Sequence, residues 1–115
     1  MREPAVLEAE DLKLVTLARA ARARVGALEG AAVRDGDGRT YAACTVALPS
    51  MSLSALQVAV AMAVTAGAPV LEAAAVVTEA STLDGAGYAA VRDLSPDAPV
   101  HLAAPDGTVL GTVIP

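Results

Sequence analysis

The segment from Thr40 to Leu71 contains no charged side chain at all. Such a segment must either cross a membrane or be covered by the rest of a folded protein. A membrane-spanning helix needs ~20 continuous apolar residues. Pro49, Gly67 and several hydroxyl-bearing residues interrupt this segment, and its most apolar part, Leu56 to Val64, is too short. The sequence therefore predicts a buried helix and no membrane partner.

The uncharged helix is predicted to span Ser52 to Ala66. Ser50 or Ser52 can cap its amino end, and Gly67 lies just past its carboxyl end. A helix that is apolar around its circumference has to be covered on most sides. We expect a sheet to cover one side and a neighbouring subunit to cover another, so that the helix Ser52–Ala66 mediates homo-oligomerisation.

The composition points to a single globular domain with an unusual core. The chain has 115 residues, of which 55% are hydrophobic and 2% aromatic, with no Phe or Trp. Its length fits one domain, residues 1–115, and its hydrophobicity excludes intrinsic disorder. An alanine-rich core buries little apolar area per residue. Pairing with further copies of the chain would add to that burial.

The net charge, the cysteine count and the first residues limit which partners and which compartment are expected. A formal net charge of −5 argues against general nucleic-acid binding, which needs Lys and Arg to neutralise phosphates. The single cysteine, Cys44, cannot form an internal disulfide, which fits a reducing compartment. The charged start, Met1-Arg2-Glu3-Pro4, is unlike a signal peptide. We therefore expect a cytoplasmic protein.

Hydrophobic periodicity and turn signals predict alternating helices and strands. Their order is helix, strand, strand, helix, strand, helix, strand, strand, which indicates an α/β fold: a three-layer αβα domain with a five-stranded mixed sheet. Asp35-Gly36-Asp37-Gly38 is a hairpin turn between the first two strands. Besides the helix already named, the predicted elements are helices Glu8–Arg24 and Asp84–Leu94 and strands Gly30–Arg34, Arg39–Val46, Val70–Thr78, Val100–Ala103 and Thr108–Ile114.

This order of elements, together with several short motifs, resembles the small cytidine deaminases over almost the whole chain. The resemblance implies the cytidine deaminase-like αβα fold. Family members are commonly dimers or tetramers, which implies one of these assemblies here. The motifs that carry the resemblance are Gly30-Ala31-Ala32-Val33, Ala43-Cys44-Thr45-Val46, Ala63-Val64-Thr65-Ala66-Gly67 and Pro105-Asp106-Gly107.

The chemistry that the resemblance implies has no matching residues in this chain. In the zinc deaminases a His/Cys/Cys or Cys₃ site activates a water, and a Glu moves the proton. Alignment back from Gly67 puts the three ligand positions at Ser54, Asp84 and Gly87, and the Glu position at Leu56. The resemblance therefore implies that zinc is absent and that none of these residues is catalytic.

The positions that hold the ribose in the family are also changed. Its Asn and Glu fall on Thr45 and Ala47. Together with the four positions above, these residues define a vestigial pocket without a catalytic group or a cofactor.

A count of donors supports the same conclusion without an alignment. Catalytic zinc normally takes three protein ligands from His, Cys or carboxylate groups. The chain has one cysteine, Cys44, and one histidine, His101. Cys44 is interpreted as a small buried hydrophobe and His101 as a hydrogen-bonded histidine on a strand.

The leading hypothesis is therefore a catalytically degenerate member of the family that serves as an oligomeric interaction or regulatory module, with a protein partner that the sequence does not name. One alternative is a nucleoside deaminase or other hydrolase with a non-standard site, using Asp84 with external ligands or a Ser54–His101 pair. Another alternative is a sensor of a small, nucleoside-like molecule.

Overall fold

A computed structural model describes residues 7–114 and divides them into two opposed helical layers and a central sheet. The helices are α1 (Ala9–Val25), α2 (Ala55–Thr65) and α3 (Gly85–Leu94). The strands are β1 (Glu29–Asp35), β2 (Thr40–Cys44), β3 (Val46–Leu48), β4 (Met51–Leu53), β5 (Leu71–Thr78), β6 (Val100–Ala103) and β7 (Val109–Val113).

The main sheet has five strands in the order β2-β1-β5-β6-β7. Only β5 and β6 are parallel neighbours, and the other pairs are antiparallel. Helix α1 packs on one face, while α2 and α3 pack together on the other. The predicted three-layer α/β fold with a five-stranded mixed sheet is confirmed.

Alternation along the two central strands divides the interior into two cores. On β1, Ala32 faces α1, whereas Ala31 and Val33 face α2 and α3. Strand β5 alternates in the same way, which is why its segment Ala73–Val77 is apolar without interruption. Its residues Ala73, Ala75 and Val77 lie on the α1 side, and Ala74 and Val76 lie on the other.

Helix α1 comes unusually close to the sheet at the start of β1. A Cβ atom placed on Gly30 would overlap the backbone carbonyl of Ala18 in α1. Ala18 itself is fully buried. The absence of a side chain at Gly30 therefore sets how near this helix can lie to the sheet.

The segment between the second strand and the second helix was predicted wrongly. The predicted strand Arg39–Val46 ends at Cys44, and the chain then forms a separate hairpin from β3 and β4. Its turn contains Pro49 and Ser50, and Leu48 pairs with Met51. Three-residue strands are too short for period-two patterning to reveal them.

The start of α2 also differs from the prediction. The helix begins at Ala55, and its cap is Ser54 rather than Ser50 or Ser52. Ser54 Oγ accepts the Gln57 N–H at 3.2 Å, and Gln57 Oε1 accepts the Ser54 N–H at 3.0 Å. This reciprocal capping box satisfies two backbone donors at once and fixes the start of the helix. Ser52 instead belongs to β4.

The boundaries of α1, α3, β1, β5, β6 and β7 agree with the predictions to within one residue at either end. Differences of this size are usual for helix and strand boundaries. Strand β6 has the predicted bounds, Val100–Ala103. Over residues 7–114, no helix is both long enough and apolar enough to cross a bilayer.

A partly buried polar network fixes the first turn of α1 to the sheet. Asp11 accepts a hydrogen bond from His101 Nε2 at 2.7 Å and one from Arg34 Nη2 at 2.9 Å. The other ring nitrogen of His101 lies 2.7 Å from Thr112 Oγ1, and Arg34 Nε donates to Glu72 at 2.9 Å. The network therefore joins α1 to β1, β5, β6 and β7.

The charge of Asp11 is favoured by this network. Partial burial acts to raise the pKa of Asp11, but hydrogen bonds from His101 and Arg34 and their positive charge outweigh it. The pKa of Asp11 therefore lies below its ordinary value. When the pKa of a carboxylate is lower in the folded chain than in the unfolded chain, the carboxylate stabilises the fold at pH values above its unfolded pKa. That stability is lost as the pH falls through the folded pKa.

We expect Asp11→Asn to lower the free energy of unfolding at pH 7 by about 1–3 kcal/mol, because it removes charge-assisted hydrogen bonds. The difference from the unaltered protein should begin to shrink as the pH falls below about 4, where Asp11 of the unfolded chain takes up its proton, and should continue to shrink as the folded protein takes up that proton at lower pH. Urea unfolding between pH 7 and pH 3 measures both effects. Glu10→Gln, on the exposed side of the same turn, is the matched control. A difference that stays constant with pH would contradict this account.

Candidate functional site

An open cleft of about 570 Å³ lies beyond the carboxyl end of β5. This is the edge at which α/β sheets commonly bind ligands. The end of α1 forms one wall, and the segment from β4 to the start of α2 forms another. The lining residues are Arg22, Gly26, Ala27, Leu28, Glu29, Thr45, Ser52, Leu53, Ser54, Thr78, Glu79 and Ala80.

Of the two predicted ribose positions, one lines the cleft. Thr45 Oγ1 accepts the Glu29 N–H at 3.0 Å and lies 3.3 Å from the Glu29 carbonyl, to which it donates. Its side chain thus ties the end of β2 to the start of β1. Ala47 lies exposed on β3, where it pairs with Ser52, and it does not line the cleft.

The other four predicted positions lie together where α2 and α3 begin. A Cβ atom placed on Gly87 would lie 2.7 Å from Leu56 Cβ, 2.9 Å from Asp84 Oδ2 and 3.0 Å from Ser54 Oγ. Ser54 caps α2 and Asp84 caps α3, so the amino ends of two helices meet at this point. We call these four residues the helix-start cluster. Ser54 also lines the cleft, whereas the other three do not.

The polar groups of the helix-start cluster already have partners. Asp84 Oδ2 accepts the Gly87 N–H at 2.6 Å, and Ser54 Oγ accepts the Gln57 N–H. Leu56 is 1% exposed and belongs to the core beneath α2. Each side chain therefore serves to start a helix or to fill the core.

His101 and Cys44, the chain's one histidine and one cysteine, lie outside the helix-start cluster. His101 is 3% exposed and is bonded to Asp11 and Thr112 on the α1 side of the sheet. The Ser54–His101 pair, considered as a hydrolytic alternative, does not form. Cys44 is half-buried at the end of β2, more accessible than the buried hydrophobe expected.

The charged residues of the cleft were missed by sequence reasoning. Arg22, Glu29 and Glu79 were not among the residues predicted to form the site. Arg22 donates from Nε to the Leu28 carbonyl at 3.1 Å, and its Nη2 lies 3.6 Å from Glu79 Oε1. One signal could have found Glu79, since it follows the carboxyl end of a buried strand.

Comparison with known proteins identifies the family. The model of the family described as Cytidine deaminase-like matches residues 7–107. The chain belongs to the cytidine deaminase-like family. None of the curated proteins matches it.

Two solved structures share the fold of this chain. The crystal structure of cytidine deaminase from Burkholderia pseudomallei is 26% identical, with a TM-score of 0.78, and the match covers 89% of this chain and 90% of that one. Cytidine deaminase from Mycobacterium leprae is 18% identical, with a TM-score of 0.65, and the match covers 93% of this chain and 94% of that one. The second likeness shows the fold alone.

The residues at the helix starts do not fit the catalytic zinc site of zinc-dependent deaminases. Such a site takes three His or Cys ligands and a Glu that moves the proton. Here Ser54, Asp84 and Gly87 supply one hydroxyl and one carboxylate, both already hydrogen-bonded. Within residues 7–114 there is no group of three His, Cys, Asp or Glu side chains that could hold a metal ion.

Gly87→Ala tests how tightly the helix-start cluster is packed. The added Cβ would lie 2.7 Å from Leu56 Cβ, an atom that cannot move without its backbone. We expect a loss of about 1–3 kcal/mol in the free energy of unfolding, as for other overpacked sites. Chemical denaturation measures it.

Gly85→Ala in the same turn of α3 is the matched control, because nothing lies within 4 Å of its added Cβ. It should leave stability unchanged or raise it by up to about 1 kcal/mol, since Ala favours a helix over Gly. Equal losses in the two variants would show that packing at Gly87 is not the cause.

Proposed function

We propose that this chain is a catalytically degenerate member of its family that serves as an oligomeric interaction or regulatory module. The observation that carries the proposal is the helix-start cluster. Leu56 fills the core there, while Ser54 and Asp84 are used as helix caps. Leu56 has no proton to transfer, and Ser54 and Asp84 together supply fewer than the three protein ligands that a catalytic zinc ion normally takes.

The energetic cost of these replacements supports the proposal. A positioned general acid or base contributes about 10²–10⁴ in rate, and Leu56 has no proton to transfer. A catalytic zinc ion lowers the pKa of its bound water to about 7, and the groups here supply too few ligands to hold one. Without either contribution, this site would accelerate the hydrolysis very little over the uncatalysed reaction.

The test is metal content together with cytidine turnover, measured on the same purified protein. We expect less than about one-tenth of an equivalent of zinc and no uridine above the rate of a protein-free sample. An active cytidine deaminase assayed alongside is the positive control. Stoichiometric zinc with turnover of cytidine would refute the proposal. Metal-free turnover abolished by Asp84→Ala would instead support the non-standard enzyme.

The cleft favours one second candidate, a small-molecule sensor. Its volume of about 570 Å³ lies within the range of ordinary ligand pockets, roughly 300–1,000 Å³. A ligand bound there would contact Thr45 and Ser54, and through Ser54 it would touch the start of α2. Binding and assembly could thus be linked in a regulatory protein.

Self-association is proposed through the outer face of α2. Helix α2 carries no charged residue, and its side chains Met62 and Val64 are 40% and 52% exposed. The opposite side of the helix, including Val60, packs into the core. An apolar face of this kind is suited to another uncharged face, because charged groups would lose solvation there, and the α2 helix of a second copy supplies such a face.

Val64→Glu should shift the protein toward monomer without lowering its thermal stability as a monomer, because the added carboxylate would be buried only in the assembly. Light scattering over micromolar concentrations measures the mass. Leu110→Glu on β7, at the far edge of the sheet, is the matched control and should leave the mass unchanged. A monomeric unaltered protein, or dissociation by Leu110→Glu alone, would contradict the α2 interface.

A further inference from the structure

We infer that helix α1 is a second self-association surface, on which the α1 helices of two copies pack antiparallel across a two-fold axis. The inference goes beyond the proposed function, which places self-association on α2. Helix α1 lies on the opposite face of the sheet from α2 and α3, so the two contacts can form at the same time. The α1 contact does not depend on the chemistry of the helix-start cluster.

The outer surface of α1 carries an apolar groove. The groove has a volume of about 370 Å³ and is lined by Ala9, Leu12, Lys13, Thr16 and Leu17. Leu12 is 44% exposed, and the Thr16 hydroxyl already donates to the Leu12 carbonyl at 3.2 Å. The groove therefore offers mainly carbon surface to a partner, and covering Thr16 would leave no hydroxyl donor unsatisfied.

Two charged residues of opposite sign lie along one side of this groove. Glu10 is two turns before Leu17 and Arg24 is two turns after it, and this seven-residue spacing puts all three on nearly the same side of the helix. Glu10 and Arg24 are exposed. Within residues 7–114 neither of them makes an ion pair. A partner that presents the reverse order of charges would pair with both.

A second copy of α1 running in the opposite direction presents that order. With the two-fold axis beside Leu17, Glu10 of each copy lies next to Arg24 of the other, so each dimer gains two ion pairs. A parallel arrangement would instead bring Glu10 to Glu10 and Arg24 to Arg24, and like charges repel. The dipoles of the two helices also favour the antiparallel direction. The charges therefore select a second copy and its orientation.

The same arrangement covers the apolar surface of the helix. Ala20 and Ala23, which follow the groove toward the carboxyl end of α1, are exposed and small, so a second helix can approach closely. In the antiparallel pair, Leu12 of one copy packs over Ala20 of the other. Each copy thus covers the exposed leucine of its partner and gains apolar burial.

Acidic residues at the start of a helix and basic residues at its end also suit the dipole of a single helix. Exchanging the two charges distinguishes this explanation from the antiparallel pair. Glu10 and Arg24 lie about 21 Å apart along one helix, too far to pair within a chain. In a single helix the exchange puts both charges at unfavourable ends, whereas in the antiparallel pair it restores both ion pairs.

The experiment is sedimentation equilibrium of Val64→Glu protein, in which the α2 contact is disrupted, at low salt and micromolar concentrations. Glu10→Arg and Arg24→Glu should each raise the Kd of the dimer about tenfold or more, because both ion pairs become repulsive. The variant with both changes should return to within about threefold of the starting Kd. Asp93→Arg on α3, which alters the net charge as Glu10→Arg does, is the matched control and should leave the Kd unchanged.

An equal mixture of the Glu10→Arg and Arg24→Glu proteins should form a heterodimer, because each then carries the charges that pair with the other. Four results would overturn the inference: a Val64→Glu protein that is monomeric throughout, single variants without effect, a double variant as dissociated as either single one, or an equal effect of Asp93→Arg. The mass of the Val64→Glu protein relative to the unaltered protein tests the α2 contact separately. Dissociation by the charge variants with no effect of Val64→Glu would refute α2 and leave α1.

Discussion

The close approach of helices to a sheet built from small residues governs this structure. Alanines and valines line both faces of β1 and β5, and Gly30 lies where a Cβ would overlap the Ala18 carbonyl. Each buried alanine contributes little apolar area, so stability depends on many short contacts rather than a few large side chains. Replacing a small side chain in such a core by a larger one is destabilising, because the helices and the sheet are already in close contact.

The same constraint accounts for the helix-start cluster. Gly87 has no side chain, so α3 can lie against Leu56 of α2, and this brings the caps Ser54 and Asp84 close together. In the zinc-dependent deaminases this region holds a metal and a proton-transfer group. Here Gly87 packs against Leu56, and Ser54 and Asp84 accept backbone N–H groups. The function proposed above keeps the fold and changes the chemistry of the site, which is possible because function depends on individual side chains rather than on architecture.

Sequence patterns predicted those parts of the fold in which local and tertiary preferences agree. The predicted strand Val70–Thr78 contains the continuous apolar run Ala73–Val77, which is typical of a strand covered on both faces, and β5 has this environment. The β3–β4 hairpin was missed because its strands are only three residues long, and the cap of α2 was misplaced because Ser50, Ser52 and Ser54 are equally good caps in isolation. Only the partner Gln57 distinguishes Ser54, through the capping box.

The candidate site was less accessible to sequence reasoning than the fold. The resemblance to the family placed Ser54, Leu56, Asp84 and Gly87 in one group, but no local pattern relates Arg22, Glu29 and Glu79, which come from three separate segments. These residues meet because the end of α1, the start of β1 and the end of β5 lie at one edge of the sheet.

That arrangement has a consequence for how such a chain can change its function. Ser54 is the one residue shared by the helix-start cluster and the cleft. The other cluster residues, Leu56, Asp84 and Gly87, are fixed by packing and capping, whereas the cleft charges lie at the ends of elements. A substitution at Glu29 or Glu79 would change the charge of the cleft lining without disturbing the close-packed core, since neither residue belongs to it. If the chain serves as the sensor considered above, the cleft is therefore where its binding specificity can change at the least cost in stability.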